Sequence, residues 1–450
     1  MKKLKNIRLR AKEDRRFKQG HPWVFSNELQ DSPKSITLGE LLELHDASGN
    51  FLAYGFGNPN SLIAFRELSR EKDSKHFEGG ELHSSFFEAQ MTIAQNYRKS
   101  WFKNDESYRL IYGEADGLSG LIVDRYIGKG RVAYVVQPHA AGMDLSLDLI
   151  VEALKKLSKD LKDPKDAFAI LRRDASSRER EGLEKIPSEA RDLSTGKTVE
   201  MDLFREFYFR VPGVSGSSLE LKTDLVSGQK TGFFFDQLQN IRLLENLLIR
   251  KLKLDHKSPS GSKAYRILDL CSYVGQWSVH LTQTLKEREA LPLQVTCVDA
   301  SENALKTARA NIEGFTKSHG IENQVEVKTL KQDVLEPMPM LANREFDLVI
   351  ADPPAFIKNR KSIPQGKQAY VQLFQTAIEK TAPGGLVVCC SCSQLLSHED
   401  FIEVLGKATR RSKRRVRWLT QGSPSFDHFT RLEFQEGHYL KSFIGQVEEI

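Results

Sequence analysis

From Arg266 onward the chain alternates short apolar segments with amphipathic ones, and this rhythm restricts the possible folds more than any other feature. Residues 295–298 and 348–351 are almost wholly apolar, which is typical of strands buried on both faces of a sheet. Strands that alternate with helices predict an α/β fold with a parallel, doubly wound sheet whose ligands bind at the carboxyl ends of the strands. We therefore expect the chemistry of this half in the loops that follow its strands.

Acidic residues follow three successive strands of this half: Asp269, Asp299 and Asp333. The turn after Asp269 ends in Gly275 and lets a ligand approach the backbone, but it lacks the glycines with which G-x-G-x-x-G cradles a diphosphate. Asp299 is placed to accept hydrogen bonds from both ribose hydroxyls, and Ser301 after it is equally a helix cap. Singly, each acid is as readily a cap or a surface group. Together they favour a nucleoside ligand without a diphosphate, a description that S-adenosylmethionine fits.

A fourth acid begins the loop Asp352-Pro353-Pro354-Ala355-Phe356, which follows an apolar strand. Two consecutive prolines make the loop rigid, and they hold a carboxylate and backbone carbonyls at the edge of the sheet. These groups are placed to bind a planar base. Since loops on a rigid scaffold carry binding sites, this pattern favours a functional loop over a simple turn.

All cysteines lie beyond residue 270: they are Cys271, Cys297, Cys389, Cys390 and Cys392. An odd number confined to one half argues against a disulfide framework and for a reducing compartment. Strand alternation puts Cys389 on the face opposite Cys390 and Cys392, so the three cannot share a tetrahedral metal ion, and we expect no metal. Cys389 and Cys390 are predicted to be buried, whereas Cys392 ends the strand beside the Asp352 loop.

A thiol at this position suits one reaction in particular. A thiolate that adds to carbon 6 of cytosine or uracil makes carbon 5 nucleophilic enough to attack a methyl sulfonium. Asp352 is placed to bond the N3 and amine edge of such a base, which must be unstacked to reach the pocket. The alternative for Cys392 is an inert cysteine at a strand end.

The first part of the chain reads differently. Residues 1–75 contain short alternating strands between turns, which predicts a small barrel or sandwich. Trp23 and Phe25 are predicted to be core residues of a strand. The polar stretch 176–198 predicts an exposed loop. The net charge is +6, with nine Lys or Arg in residues 1–20 and seven in residues 407–417. These clusters indicate either contact with a polyanion such as RNA or plain solvated surface.

The motifs in their order resemble those of the bacterial 23S ribosomal RNA cytosine-5 methyltransferases that carry an N-terminal PUA domain. The resemblance covers nearly the whole chain and rests on His21-Pro22-Trp23-Val24-Phe25-Ser26, Tyr108-Arg109-Leu110-Ile111-Tyr112-Gly113-Glu114-Ala115-Asp116-Gly117-Leu118-Ser119-Gly120-Leu121, Val123-Asp124-Arg125, Lys230-Thr231-Gly232-Phe233-Phe234-Phe235-Asp236-Gln237, Asp352-Pro353-Pro354-Ala355-Phe356, Ser391-Cys392-Ser393 and Glu436-Gly437-His438-Tyr439-Leu440-Lys441-Ser442-Phe443. It implies a PUA β-barrel in residues 1–75, a central α/β domain in 76–215 and a Rossmann-like class I methyltransferase domain in 216–450.

The resemblance also implies residue roles, with Cys392 as nucleophile and Asp352 beside the base. The implied residues for S-adenosylmethionine are Lys230, Thr231, Phe233, Asp236, Gln237, Asp269, Cys271, Tyr273, Gly275, Asp299, Ala300, Ser301, Asp333, Asp352 and Pro353. One position departs from better known RNA cytosine-5 enzymes, which have a second cysteine where this chain has Ala355. Release of the product would then need another base.

Two other functions remain open at this point. An acid followed by two prolines and the aromatic Phe356 also serves methylation of a nitrogen in RNA, without any thiol. The chain is alternatively a non-catalytic RNA-binding assembly factor. No apolar run is long enough to cross a membrane and no apolar stretch follows the basic start, so we expect neither a spanning helix nor a secretion signal. We expect a cytoplasmic protein with ribosomal RNA as partner and no membrane contact. A homodimer is one option for its oligomeric state.

Overall fold

The computed structural model describes residues 3–159, 166–254, 264–288 and 292–448. The chain folds into two compact units, which we call unit 1 and unit 2. Unit 1 comprises Met1–Val211, Thr223–Phe235 and Phe426–Gly437, and unit 2 comprises Pro212–Lys222, Asp236–Ser425 and His438–Ile450. The division into three domains at residues 75 and 215 stays a prediction.

Helices and strands follow one another along the described residues. The α-helices are α1 (Arg15–Lys18), α2 (Ser84–Lys99), α3 (Ala141–Leu145), α4 (Leu147–Lys159), α5 (Leu238–Leu254), α6 (Gln276–Glu287), α7 (Glu302–Ser318), α8 (Ile363–Lys380) and α9 (His398–Arg411). The strands are β1 (Lys5–Arg8), β2 (Trp23–Phe25), β3 (Leu41–His45), β4 (Phe51–Gly57), β5 (Ile63–Ser69), β6 (Tyr108–Tyr112), β7 (Leu121–Gly128), β8 (Arg131–Pro138), β9 (Asp166–Leu171), β10 (Glu189–Asp192), β11 (Thr198–Val199), β12 (Phe207–Pro212), β13 (Ser218–Thr223), β14 (Tyr265–Leu270), β15 (Leu293–Asp299), β16 (Val325–Lys331), β17 (Phe346–Ala351), β18 (Thr381–Ser391), β19 (Val416–Gln421) and β20 (Lys441–Val447).

The first sheet of unit 1 has five strands in the order β1-β3-β4-β5-β2. Its register sets which side chains face the core. The prediction that Trp23 and Phe25 of β2 are core residues was wrong. Val24 pairs with Phe65 and both are fully buried, so Trp23 and Phe25 point to the opposite face and are only partly buried. The Trp23 indole lies against the ring of Phe434, with 4.8 Å between centroids, and donates a hydrogen bond to Glu114.

The second sheet of unit 1 has the order β11-β10-β9-β8-β7-β6, and helices α2 and α4 bury their apolar faces in the same core. The prediction of an exposed loop over residues 176–198 was wrong, because this stretch contains β10. Arg178 and Glu181 within it are both buried. They pair with Asp144 at 2.6 Å and with Arg66 at 2.9 Å, so a polar composition here reflects paired charges rather than exposure.

The sheet of unit 2 has seven strands in the order β16-β15-β14-β17-β18-β20-β19. The first five are parallel and alternate with helices, which confirms the predicted doubly wound α/β arrangement for that part. The expectation of a purely parallel sheet is corrected at one edge, where β20 runs antiparallel to both β18 and β19. No helix in the described part of the chain is long and apolar enough to cross a membrane.

Candidate active site in unit 2

Strand register brings the predicted site loops to one edge of the unit 2 sheet. Leu270 of β14 pairs with Val298 of β15 and with Ala351 of β17, and Ala351 pairs with Cys389 of β18. The loops that follow these four strands therefore leave the sheet side by side. This is the edge at which open α/β sheets bind their ligands.

The loop after β14 has a backbone that side chains rarely tolerate. Cys271 and Tyr273 have φ angles of 65° and 48°, and Gly275 has a φ of 78°. A Cβ atom at residue 275 would lie 3.0 Å from Cβ of Ala308, so this position requires glycine for space as well as for conformation. Non-glycine residues at positive φ store strain that persists mainly at functional sites.

Asp269 is completely buried at the end of β14. Its Oδ2 accepts a hydrogen bond of 2.7 Å from Ser278, whereas its Oδ1 and Oε1 of Gln276 have no partner among the described residues. Burial raises the pKa of Asp269 to about 7, the charges of Asp352 and Asp299 add to the rise, and the Ser278 bond opposes it. A buried acceptor without a donor suits a cationic or hydrogen-bond-donating ligand group.

Asp299 ends β15 with both carboxylate oxygens facing backbone amides. It accepts hydrogen bonds from the amide of Tyr273 at 2.9 Å and from the amide of Ser301 at 2.8 Å. The Ser301 hydroxyl accepts from the amide of Ala304, which confirms its role as the N-cap of α7. Ala300 between them is exposed, as is the predicted Asp333, whose side chain accepts from the amide of Leu335.

The charges of the four predicted acids all act on the partly buried thiol of Cys271. Its pKa is raised well above that of an ordinary thiol, first by burial and then by the charges of Asp299, Asp352, Asp269 and Asp333. Side chains that are far apart in sequence thus share one electrostatic environment. Such surroundings keep Cys271 protonated and make it a poor nucleophile.

Two side chains hold the Asp352 carboxylate from either side. Gln237 donates to Oδ1 at 2.8 Å, and the indole of Trp277 donates to Oδ2 at 3.0 Å. Asn240 donates to the other end of the Gln237 amide at 2.7 Å and fixes its orientation. Sequence reasoning missed Trp277, although an indole N–H in the first turn of the helix after the glycine loop was an available signal.

Cys392 lies just beyond β18 and is partly exposed, with its sulfur 3.9 Å from the carbonyl oxygen of Pro353. The structure thus brings Cys392 and the Asp352 loop together. Cys389 and Cys390 are fully buried, which confirms that prediction, and burial raises the pKa of both thiols. All five cysteines of the chain are free.

The predicted segment from Lys230 to Gln237 is shared between the two units. Thr231 and Phe233 are fully buried in unit 1, where Thr231 bonds the Asp124 carboxylate and the Phe233 ring packs on Phe209. Lys230 also belongs to unit 1, and its ammonium lies 4.5 Å from the ring centre of Phe234. A cofactor contact of these three residues stays a prediction.

Asp236 and Gln237, the last two residues of that segment, belong to unit 2. Both are almost completely buried, and Asp236 accepts a hydrogen bond from the Tyr439 hydroxyl. Gln237 is joined to the site by its hydrogen bond to Asp352. No cluster of three or more His, Cys, Asp or Glu side chains able to hold a metal ion occurs within the ranges that the structure describes.

Comparison with known proteins gives the site a context. A Klebsiella pneumoniae protein named ribosomal RNA large subunit methyltransferase I is 28% identical over 432 residues, which cover 95% of this chain and 94% of the relative. A Deinococcus radiodurans protein named ribosomal RNA large subunit methyltransferase is 28% identical over 455 residues, covering 98% of each chain.

Solved structures and domain families agree on the fold. A Streptococcus mutans protein described as an S-adenosylmethionine-dependent methyltransferase matches with a TM-score of 0.68 at 18% identity, over 98% of this chain and all of that chain. A structure described as a methyltransferase in complex with S-adenosylhomocysteine (SAH) matches with a TM-score of 0.69 at 18% identity and the same coverage. Residues 7–70 match the PUA-like domain and residues 249–417 match the FtsJ-like methyltransferase. The chain therefore joins an N-terminal PUA-like domain to a class I methyltransferase fold.

Proposed function

We propose that this protein is an S-adenosylmethionine-dependent methyltransferase of large-subunit ribosomal RNA that forms 5-methylcytidine through a covalent adduct with Cys392. The relatives' names support the RNA substrate and the fold supports methyl transfer. The observation that carries the cytosine-5 assignment is the position of the Cys392 sulfur, 3.9 Å from the Pro353 carbonyl in the loop of Asp352. The cytoplasmic location and the homodimer stay predictions.

The residues around the β14 and β15 loops fit S-adenosylmethionine. The unpartnered Oδ1 of Asp269 would accept from the ammonium of its amino-acid part, and Asp299 would accept from its ribose hydroxyls. The backbone of residues 271–275, with its positive φ angles, would let the ligand approach closely. When bound, the cofactor supplies an electrophilic methyl group on a sulfonium.

The side chains of this protein would supply the remaining chemistry. Cys392 Sγ forms a bond to carbon 6 of the cytosine, and the electron pair of the ring double bond makes carbon 5 nucleophilic. Asp352, fixed by Gln237 and Trp277, accepts hydrogen bonds from the amine and the protonated N3 of the adduct. Once carbon 5 carries the new methyl group, loss of its original proton to a base re-forms the ring double bond and expels the Cys392 thiolate. Ala355 leaves no second thiol in the Asp352 loop for that proton.

The proposal is tested by incubating the protein with large-subunit ribosomal RNA and S-adenosylmethionine that carries a trideuterated methyl group. Digestion to nucleosides and mass spectrometry should show labelled 5-methylcytidine. A labelled nucleoside methylated on nitrogen would instead support the runner-up, in which the Asp352 loop acts without a thiol. No labelled nucleoside on either RNA or intact subunits would favour a non-catalytic RNA-binding factor.

We expect cofactor affinity to depend on the ionisation of Asp269. Because the pKa of Asp269 is raised to about 7, this carboxyl is neutral at lower pH and cannot pair with the ligand ammonium. The affinity for S-adenosylmethionine should rise as the pH increases through about 7 and level off near pH 8, where a free α-amino group begins to lose its proton. Calorimetric titration from pH 6 to pH 8 measures this. In Asp269→Asn the rise should be absent, and an unchanged rise would contradict the role given to Asp269.

We expect the basic cluster at residues 407–417 to contact RNA phosphates. All of its cations except Arg414 are exposed. Replacing Arg410, Lys413 and Arg415 by Gln should make the fall of log affinity with log salt less steep, reducing the magnitude of the slope by about 2. Filter binding of a ribosomal RNA fragment at several salt concentrations measures the slope. A triple variant of the exposed Lys306, Lys317 and Lys328 serves as the control and should keep the slope. Equal slopes in both triple variants would mean that the cluster is only solvated surface.

A further inference from the structure

The antiparallel strand β20 introduces a lysine next to the proposed nucleophile. Lys441, the first residue of β20, pairs in register with Ser391, the residue before Cys392. Its side chain is buried, with 8% exposed. The ammonium donates hydrogen bonds to the carbonyl oxygens of Ser393 at 2.8 Å and Leu396 at 2.7 Å. Lys441 therefore anchors the turn that carries Cys392.

This buried cation has no acidic partner. Within the described residues, no Asp or Glu oxygen lies within 4.0 Å of the Lys441 ammonium, although other buried cations such as Arg98 and Arg109 pair with carboxylates. Burial lowers the pKa of Lys441 to about 8, and the negative charge of Cys392 acts in the opposite direction. A buried charge without a counter-charge is costly, so the surroundings of Lys441 favour an anion at Cys392.

Other titratable groups face the same sulfur. The Tyr370 hydroxyl lies 2.8 Å from Ser393 Oγ, and its pKa is raised to about 12 by burial and by the charge of Cys392. Asp352 lies on the neighbouring loop and would oppose a second negative charge. Tyr370 stays neutral at physiological pH, so Lys441 is the cation in this group that compensates a thiolate.

We propose that Lys441 is a positioning residue that stabilises the thiolate of Cys392 and fixes the turn on which that thiolate is presented. This inference rests on the proposed function, since it assigns a role to the nucleophile of that reaction. Charge compensation in a partly buried site is a general means of activating a thiol. It also distinguishes Cys392 from Cys271, whose pKa the charges of four carboxylates raise.

The test is the rate at which iodoacetamide alkylates Cys392 between pH 5.5 and pH 9.5, read from the Cys392 peptide by mass spectrometry. The free protein is used without RNA or cofactor. In the wild type, the midpoint of the profile should lie below that of an ordinary thiol, about 8.5. In Lys441→Met the midpoint should rise by about one pH unit, which lowers the rate at pH 7 by about tenfold. Lys441→Arg should retain the wild-type midpoint within a few tenths of a unit, because it keeps the charge.

Controls separate this role from simple stabilisation of the fold. Tyr370→Phe should leave the midpoint near that of the wild type, and SAH affinity should be equal in all variants. A wild-type midpoint at or above about 8.5, or equal midpoints in wild type and Lys441→Met, would overturn the proposal. If Lys441→Met does not fold, the midpoints of the wild type and of Lys441→Gln still test the proposal. Because alkylation needs no RNA, an absence of 5-methylcytidine with a normal thiolate profile would count against the proposed function alone.

Discussion

Replacement of Cys392 by alanine should abolish formation of 5-methylcytidine, with a fall in rate of at least about 10³-fold, because the covalent route to an activated carbon 5 is lost. The affinity for SAH should stay within about threefold of the wild type, since the residues proposed to hold the cofactor lie on other loops. The rate is measured in single turnovers with labelled cofactor. The matched control is Cys389→Ala, which removes a fully buried thiol of the preceding strand β18 and should keep most of the activity.

A trapping experiment extends this first prediction. With RNA that contains 5-fluorocytidine, the carbon 5 substituent cannot leave as a proton, so the adduct with Cys392 should accumulate. We expect a complex stable to denaturing electrophoresis that contains RNA, protein and the transferred methyl group. Cys392→Ala should form none, whereas Cys389→Ala should form it normally. A Cys392→Ala protein that methylates RNA at the normal rate would instead select methylation of a nitrogen.

The second large effect is expected at Asp352. Asp352→Asn removes the negative charge that would stabilise the protonated adduct, so kcat should fall by about 10²–10³-fold. The change preserves the size of the side chain, and SAH affinity should vary little. Kinetics at saturating RNA measure the effect. The control is Asp347→Asn on the preceding strand β17, whose carboxylate accepts a hydrogen bond from the amide of Arg266 and has no proposed role in catalysis.

A loss of SAH binding in Asp352→Asn, with kcat preserved at saturating cofactor, would contradict the placement of Asp352 beside the base. It would move this residue to the cofactor side of the site. A second variant, Trp277→Phe, tests how the carboxylate is held, because it removes only the indole donor to Oδ2. We expect a smaller fall in kcat for it than for Asp352→Asn.

The acids of the site could be found from the sequence because parallel strands place their carboxyl ends along one edge. Asp269, Asp299 and Asp352 lie at the carboxyl ends of adjacent strands, so their shared neighbourhood follows from the fold class alone. The buried Cys389 and Cys390 could be predicted for a similar reason, since an interior strand is apolar on both faces. The local pattern of apolar residues is therefore sufficient to predict the edge on which the acids lie and the burial of these two cysteines.

Other parts of the site depend on contacts that a local pattern does not contain. Trp277 and Gln237 reach Asp352 from elements far away in the chain, and their hydrogen bonds depend on tertiary packing. Lys441 reaches the turn after β18 only because β20 is antiparallel and in a particular register. The buried face of β2 was predicted wrongly because Trp23, Val24 and Phe25 are all apolar. Hydrophobicity alone does not say which of them face the core.

The position of β20 also has a consequence for the order in which this enzyme matures during synthesis. β20 lies between β18 and β19 in the sheet, although it is made after both of them. On the ribosome, β19 has no neighbour to pair with until β20 has left the exit tunnel and entered the gap. The turn that carries Cys392 should therefore gain its hydrogen bonds from Lys441 only after β18 and β19 have been made and β20 has emerged.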